Sequence, residues 1–500
     1  MVSDETGLPE TFDVHTGKNI KWSVALGKES YATPVIARGR VLIGTNNGEP
    51  RDSKHQGDRG VLMCFNEKDG AFLWQWVVPK REGGDVYLDW PNSGMCSPAT
   101  VDGDTVYMLN NRGEVAALDL LGMANGNDGP FRAEGVHMAL RGAPPLEPGP
   151  TDADILWLFD LVSGAGIYSH DSAHASILID GPYLYLNSCN GVDNTHRKIR
   201  APEAPSLVVL DKKTGRFVAR DDEHIGPRIF HCTWSSPSMG VVNGRRQIIF
   251  GGGDGVVYAF EPLAAAVASA AGNPAGKPVT LKRIWKFDCD PTGPKENVHR
   301  FNGNRKESPS NIKSVPIFHQ NRVYVTVGGD LWWGKNQVWL KCIDATQTGE
   351  VTQTAEVWSY PLSQHCMSSP AIWNHLVFVG DSGRRIHCVD ADTGHPYWTH
   401  EVESEVWASP LVADGKVYFC DRGGQVLVFA AAKEKKLLAA IDMGAPISGT
   451  PVAANGVLYI ATANRLFALR DSSDSSAGGA HPDTGKAGFL SPALSQEIKK

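Results

Sequence analysis

Histidine, cysteine, tryptophan and carboxylate side chains gather at one recurring place in this chain, a few residues ahead of a repeated Ser-Pro or Thr-Pro step. Asp89, Trp90 and Cys96 precede Ser97-Pro98. His170, Asp171 and His174 precede Ser176, and His231, Cys232 and Trp234 precede Ser236-Pro237. Arg305, Glu307 and Asn311 precede Val315-Pro316, His365 and Cys366 precede Ser369-Pro370, and Glu405 and Trp407 precede Ser409-Pro410. Imidazole and thiolate ligands suit zinc or copper, so His170, His231 and His365 are the metal-ligand candidates. Neighbouring residues on a strand point to opposite faces. Each His-Cys pair, 231–232 and 365–366, therefore offers at most one inward ligand. Trp90, Trp234 and Trp407 offer flat faces for a planar ligand, with Asp89 and Glu307 as bases or calcium ligands and Arg305 as an anion clamp. Against each of these stands a plainer role: rim packing for the indoles, solvation or a salt bridge for the charges. No nucleophile–base spacing singles out a catalytic residue.

The elements that must hold these residues are strands. The clearest copy of the repeat is Ser409-Pro410-Leu411-Val412-Ala413-Asp414-Gly415-Lys416-Val417-Tyr418-Phe419. Prolines 34, 98, 237, 316, 370, 410 and 451, with Ser176 in a copy lacking proline, mark eight first strands. Asx-Gly pairs such as Asp102-Gly103, Asn243-Gly244 and Asn455-Gly456 supply the positive φ angles of tight hairpins. A β-branched second strand follows, then a third ending in a polar turn such as Asp390-Ala391-Asp392-Thr393-Gly394. The fourth carries Trp74, Trp157, Trp285, Trp358 or Trp398, placed to pack between blades. Four short antiparallel strands repeated radially make propeller blades. The expected fold is an all-β, eight-bladed propeller of four-stranded antiparallel blades. The last repeat lacks its fourth strand, and Ile20-Lys21-Trp22-Ser23-Val24 supplies one, closing the ring and covering edge strands. Residues 17–470 form the propeller, 1–16 an N-terminal extension, and 471–500 a flexible tail rich in Ser, Gly and Pro.

Composition narrows the function. A net charge of −7 disfavours nucleic acid or an anionic membrane as the main partner. No apolar run reaches the length of a membrane span. The nine cysteines show no CxxC, no haem-attachment CxxCH and no adjacent pair, and read as free buried thiols. The start, Met1-Val2-Ser3-Asp4, does not read as a signal peptide. The long second-to-third-strand loops, 46–60, 188–205 and 328–336, and the crossings 80–94, 162–173, 221–233 and 289–311 emerge on one face and build a rim around the channel mouth. The insertions 121–154 and 262–282 fall on the other face, with a short helix expected in the Ala-rich stretch 263–271.

The Ser409–Tyr418 repeat, with Val389-Asp390-Ala391-Asp392-Thr393-Gly394-His395-Pro396-Tyr397-Trp398, resembles the PQQ-like, quinoprotein-type eight-bladed propellers over residues 17 to 470. Gly60–Phe65, Asn127–Phe131 and Trp234–Pro237 match a bacterial PQQ-binding-like branch. The resemblance implies one of two functions. The first is a non-catalytic scaffold binding a protein, glycan or small ligand at the looped channel face, as in the propeller lipoprotein of outer-membrane β-barrel assembly. The alternative is a PQQ-dependent oxidoreductase in which PQQ is sandwiched between a Trp and a vicinal disulfide, and calcium is held by Glu and Asn near a catalytic Asp. The missing Cys-Cys pair would make that pocket atypical. Family usage also implies an exported, periplasmic location, and a monomer is expected.

Overall fold

The computed structural model describes residues 1–81, 90–171, 174–265 and 277–471. It holds eight small antiparallel sheets. The first blade runs Val35–Ala37, Arg40–Asn46, Arg59–Asn66 and Phe72–Pro79, and the order of neighbours follows the chain. The last joins Val452–Ala454, Val457–Ala461 and Arg465–Leu469 to Ile20–Ala25, so the N-terminal strand closes the ring as expected. Two parallel edge pieces, Val279–Thr280 and Gly349–Glu350, extend the third and fourth blades.

The repeat's two signatures have physical causes. The hydroxyl of the Ser/Thr-Pro step accepts a backbone N–H from the preceding repeat. Ser369 N donates to Ser409 Oγ at 2.9 Å, Ser409 N to Thr450 Oγ1 at 3.1 Å, and Thr450 N to Thr33 Oγ1 at 3.1 Å. A belt of hydroxyls thus ties the first strands together, and the proline after each hydroxyl needs no donor of its own. The fourth-strand indoles tie the blades' outer parts. Trp22 Nε1 donates to Glu67 O at 3.0 Å, Trp74 Nε1 to Leu120 O at 2.9 Å, and Trp358 Nε1 to Ala391 O at 3.0 Å, each in the following blade. The ring then lies on the turn glycine there. At Gly394, φ is +72° and an added Cβ would meet Trp358 at 2.7 Å, so both backbone and space demand glycine. Trp285 departs from the pattern and donates to Gln247 of its own blade.

The hairpin turns are of two kinds. Asn243-Gly244, Asp414-Gly415 and Asn455-Gly456 have positive φ at both residues, as type I′ turns require. At Asp102-Gly103 and Asp180-Gly181 the aspartate ends the strand, and only the glycine turns with positive φ. That pattern is type II′.

Residues 1–16 pack across the last two blades. Ser3 N donates to Val412 O, Leu8 and Phe12 are buried, and the Glu5 carboxylate accepts Asn455 N and Gly456 N at 2.9 and 2.7 Å. The insertion 121–154 carries the helix Glu134–Met138. The helix expected over 263–271 falls mostly outside the described residues, as does the whole tail beyond 471. No helix among the described residues is long and apolar enough to cross a membrane.

Candidate functional site

On the looped face, the crossings into the third to sixth blades meet the long loops of the third and fifth. Lys313 stands there, three residues before Pro316, as Trp234 stands before Pro237 and Trp407 before Pro410. Its side chain is completely buried, with Nζ 2.7 Å from Asp330 Oδ2. The ammonium lies 4.6 Å from the Trp234 ring centre and 4.3 Å from that of Trp332, close enough for cation–π attraction. Asp330 Oδ1 accepts Trp332 N and Trp333 N at 3.0 and 3.1 Å, folding the loop down over the lysine. Burial alone would raise the Asp330 carboxyl. The adjacent Lys313 and His231 outweigh it and hold this acid well below the usual carboxylate range.

The histidines build outward from this pair. His231 Nδ1 lies 3.0 Å from Asp330 Oδ2, and His231 Nε2 lies 3.1 Å from His170 Nε2. His170 Nδ1 is 2.9 Å from the Val192 carbonyl. His196, on the long loop of the third blade, packs edge-on against His170 with ring centres 4.8 Å apart. His365 donates from Nδ1 to the Gly329 carbonyl, and its Nε2 is buried without a hydrogen-bond partner among the described residues. His174 lies edge-on to Trp234 at 4.8 Å. Burial pushes both His174 and His365 down to about 3.

The expected cofactor residues occupy different settings. Trp234 is 1% exposed and enclosed by Lys313, His174, His231 and Trp332. Trp407 is 3% exposed, with the Arg422 guanidinium carbon 3.7 Å over its ring and its Nε1 donating to Glu405 Oε2 at 2.7 Å. Trp90 is half-buried on the rim, where its carbonyl accepts from Ser93 Oγ and Lys80 Nζ. Arg305 donates to the Leu331, Trp332 and Gly334 carbonyls at 2.7–3.1 Å and so pins the loop that carries the two tryptophans. Glu307 is exposed. Asp89 lies outside the described residues. All nine cysteines are buried and free, Cys232 and Cys366 among them.

Among the described residues, the metal-capable nitrogens that converge belong to His170, His196 and His231. The structure therefore joins two of the three expected histidines with His196 and leaves His365 beside them on its own carbonyl. Sequence reasoning passed over His196, Lys313, Asp330 and Trp332. The phase of Lys313, shared with Trp234 and Trp407, was the available signal.

The PQQ–calcium pair of the quinoprotein alternative does not fit these residues. Neither Trp234 nor Trp407 presents an open face, and the chain has no adjacent cysteines to oppose one. Open space lies instead between the loops at 195–197 and 299–303. This cavity of about 550 Å³ is lined by His196, Arg197, His299, Arg300 and Trp333, with Thr195, Asn302 and Gly303.

Comparison with known proteins agrees with the fold. A family model described as "Outer membrane protein assembly factor BamB" matches residues 4–127 and 339–473, more than half of the chain. The chain belongs to that family of PQQ-like β-propellers. Among curated proteins it is 23% identical over 449 residues to the quinohemoprotein alcohol dehydrogenase ADH IIB of Pseudomonas putida, covering 82% of this chain and 56% of that one. It is 26% identical over 250 residues to the dehydrogenase subunit of the quinone alcohol dehydrogenase of Komagataeibacter europaeus, covering 45% and 31%. The chain thus spans about half or less of the length of these relatives. Among solved structures, BamB from Moraxella catarrhalis aligns with a TM-score of 0.51 at 12% identity, covering 92% of this chain and 98% of that one. A europium-containing methanol dehydrogenase aligns with a TM-score of 0.55 at 11% identity, covering 94% and 96%. At such identities the structural likeness speaks for the fold alone.

Proposed function

We propose that this propeller is a non-catalytic binding scaffold that presents its looped channel face to a protein, glycan or small ligand. An anionic group of that partner enters the cavity between Arg197 and Arg300. The observation that carries this reading is the state of the two central indoles. Both are covered by the chain's own cations, Lys313 and Arg422, so the positions from which a planar cofactor would be held are already filled. The accessible recess is cationic and aromatic, although the whole chain is acidic. Arginine favours carboxylate and phosphate groups through its planar fork. The family description, an outer membrane assembly factor, supports an exported, periplasmic location and a protein partner for this chain as well.

Titration of the full chain with PQQ and Ca²⁺, read by tryptophan fluorescence, tests the reading. The expected result is no saturable quenching up to high micromolar cofactor. Saturable quenching that disappears in Trp234→Ala would replace the scaffold with the oxidoreductase alternative.

A further inference from the structure

His170, His196 and His231 form a cluster that the scaffold reading does not use. Their rings are mutually packed, with centres 4.8, 4.8 and 5.4 Å apart. One ligand atom from each lies within 4.8 Å of the others.

The tautomers are set by what backs each ring. A carbonyl cannot donate, so the contact to Val192 O makes His170 Nδ1 the protonated nitrogen. An ionised carboxylate cannot donate either, so Asp330 makes Nδ1 the protonated nitrogen of His231. In the neutral rings both Nε2 atoms then carry lone pairs, and they face each other at 3.1 Å. Two acceptors at that distance repel unless a cation stands between them. A shared proton would place a cationic imidazolium where His170 is 1% and His231 4% exposed, and burying a charge is costly. A metal ion needs the neutral rings that burial favours, at nitrogen–metal distances of about 2.0–2.1 Å.

The surroundings match a metal centre. The Asp330–His231 contact and the Val192 carbonyl on His170 are the outer contacts that orient histidine ligands and raise their basicity. Asp171 Oδ2 lies 3.6 Å from His170 Nε2, bringing negative charge to the edge of the cluster. His196 lines the cavity, so the cluster has a route to solvent.

We propose that His170, His196 and His231 bind one divalent transition-metal ion of the zinc class, with Asp330 and the Val192 carbonyl fixing the two inner rings. The site is independent of whether the cavity takes an anionic partner.

The test uses the full chain, stripped with EDTA and dialysed. Zn²⁺ alone is titrated calorimetrically, and Co²⁺ alone is followed by visible absorption. One Zn²⁺ per chain at micromolar affinity or better is expected, together with the visible bands of cobalt bound by nitrogen. His196→Ala, at a half-exposed rim residue, should weaken zinc binding by about tenfold or more, the scale on which even outer-contact changes act. His375→Ala, an exposed histidine paired with Asp392 on another blade, should leave it unchanged. Failure of the unaltered chain to take up stoichiometric zinc overturns the site, as does undiminished binding in His196→Ala. The cobalt spectrum reads nitrogen ligation in the unaltered chain, so the test does not hang on the folding of a variant.

Discussion

Trp234 and Trp407 occupy the same position in their repeats, and each lies beneath a cation of its own chain. Around Trp234 the cation is Lys313, fully buried and paired at 2.7 Å with a fully buried Asp330. Around Trp407 it is Arg422, half-exposed, whose backbone N–H donates to Glu405 O. The difference comes from loop length. In the seventh blade Cys420 and Gln425 are joined by a short turn, and Arg422 on that turn stays partly exposed. In the fifth blade the segment between Gly329 and Val338 folds back over the channel mouth and takes Lys313 out of water. A charge removed from water must be matched by an opposite charge and by hydrogen bonds. Asp330 meets that requirement for Lys313, and Asp290 meets it at 2.5 Å for Lys335 on the loop itself. Under this loop, histidines from three crossings are held in fixed tautomers, and His196 from one long loop packs against two of them. One repeat position thus yields packing where the loop is short and a preorganised polar cluster where it is long.

The comparison breaks most readily at Lys313. Lys313→Met keeps the stem and removes the charge, leaving Asp330 ionised among neutral donors. A loss of about 3–5 kcal/mol is expected, the usual cost of stripping one partner from a buried pair. Urea unfolding measures it. A loss below about 1 kcal/mol would mean that the Trp234 side is no more demanding than the Trp407 side.

The eight blades, their strand order and the closing N-terminal strand were legible because each rests on local chemistry: Asx-Gly turns, β-branched runs, a recurring Trp and a hydroxyl before proline. Part of the cluster was legible, since Trp234, His170 and His231, all drawn from residues ahead of the repeated Ser-Pro step, lie side by side. Pairings across blades were not legible. Lys313 and Asp330 are close in sequence, but the contact of Asp330 with His231 spans 99 positions, and that of His231 with His170 spans 61. His196 sits on a loop whose local sequence carries no ligand spacing, and only the fold brings it to the other two. Arg305 was misleading for a related reason: its position marks it as a clamp, but what it holds are carbonyls of its own rim.

Acid sharpens the contrast. His174 and His365, both beside the Trp234–Lys313 cluster, are pushed down to about 3 by burial. Unfolded histidines take up protons near pH 6.5. Between that value and about 3 the unfolded chain binds more protons than the folded one, so stability falls as pH falls. From pH 7 to pH 5 each imidazole should cost about 2 kcal/mol in chelator-treated protein. Replacing either with Gln should flatten the slope of unfolding free energy against pH. An unchanged slope would remove these histidines from the acid response.

The smallest expected effect lies on the other side of the channel. Arg422→Met removes the cation over Trp407 and keeps an apolar stem to cover the ring. Nη1 of Arg422 is buried without a hydrogen-bond partner among the described residues, so the substitution also removes an unsatisfied donor. The backbone bond from Arg422 N to Glu405 O survives. A cation–π contact at a partly exposed site is worth about 0.5–1 kcal/mol, and relief of the unsatisfied donor offsets part of that. The net change in unfolding free energy should therefore stay below about 1 kcal/mol. If Arg422→Met instead costs as much as Lys313→Met, exposure of the cation is not what separates the two indoles, and the long loop of the fifth blade loses its part in the explanation.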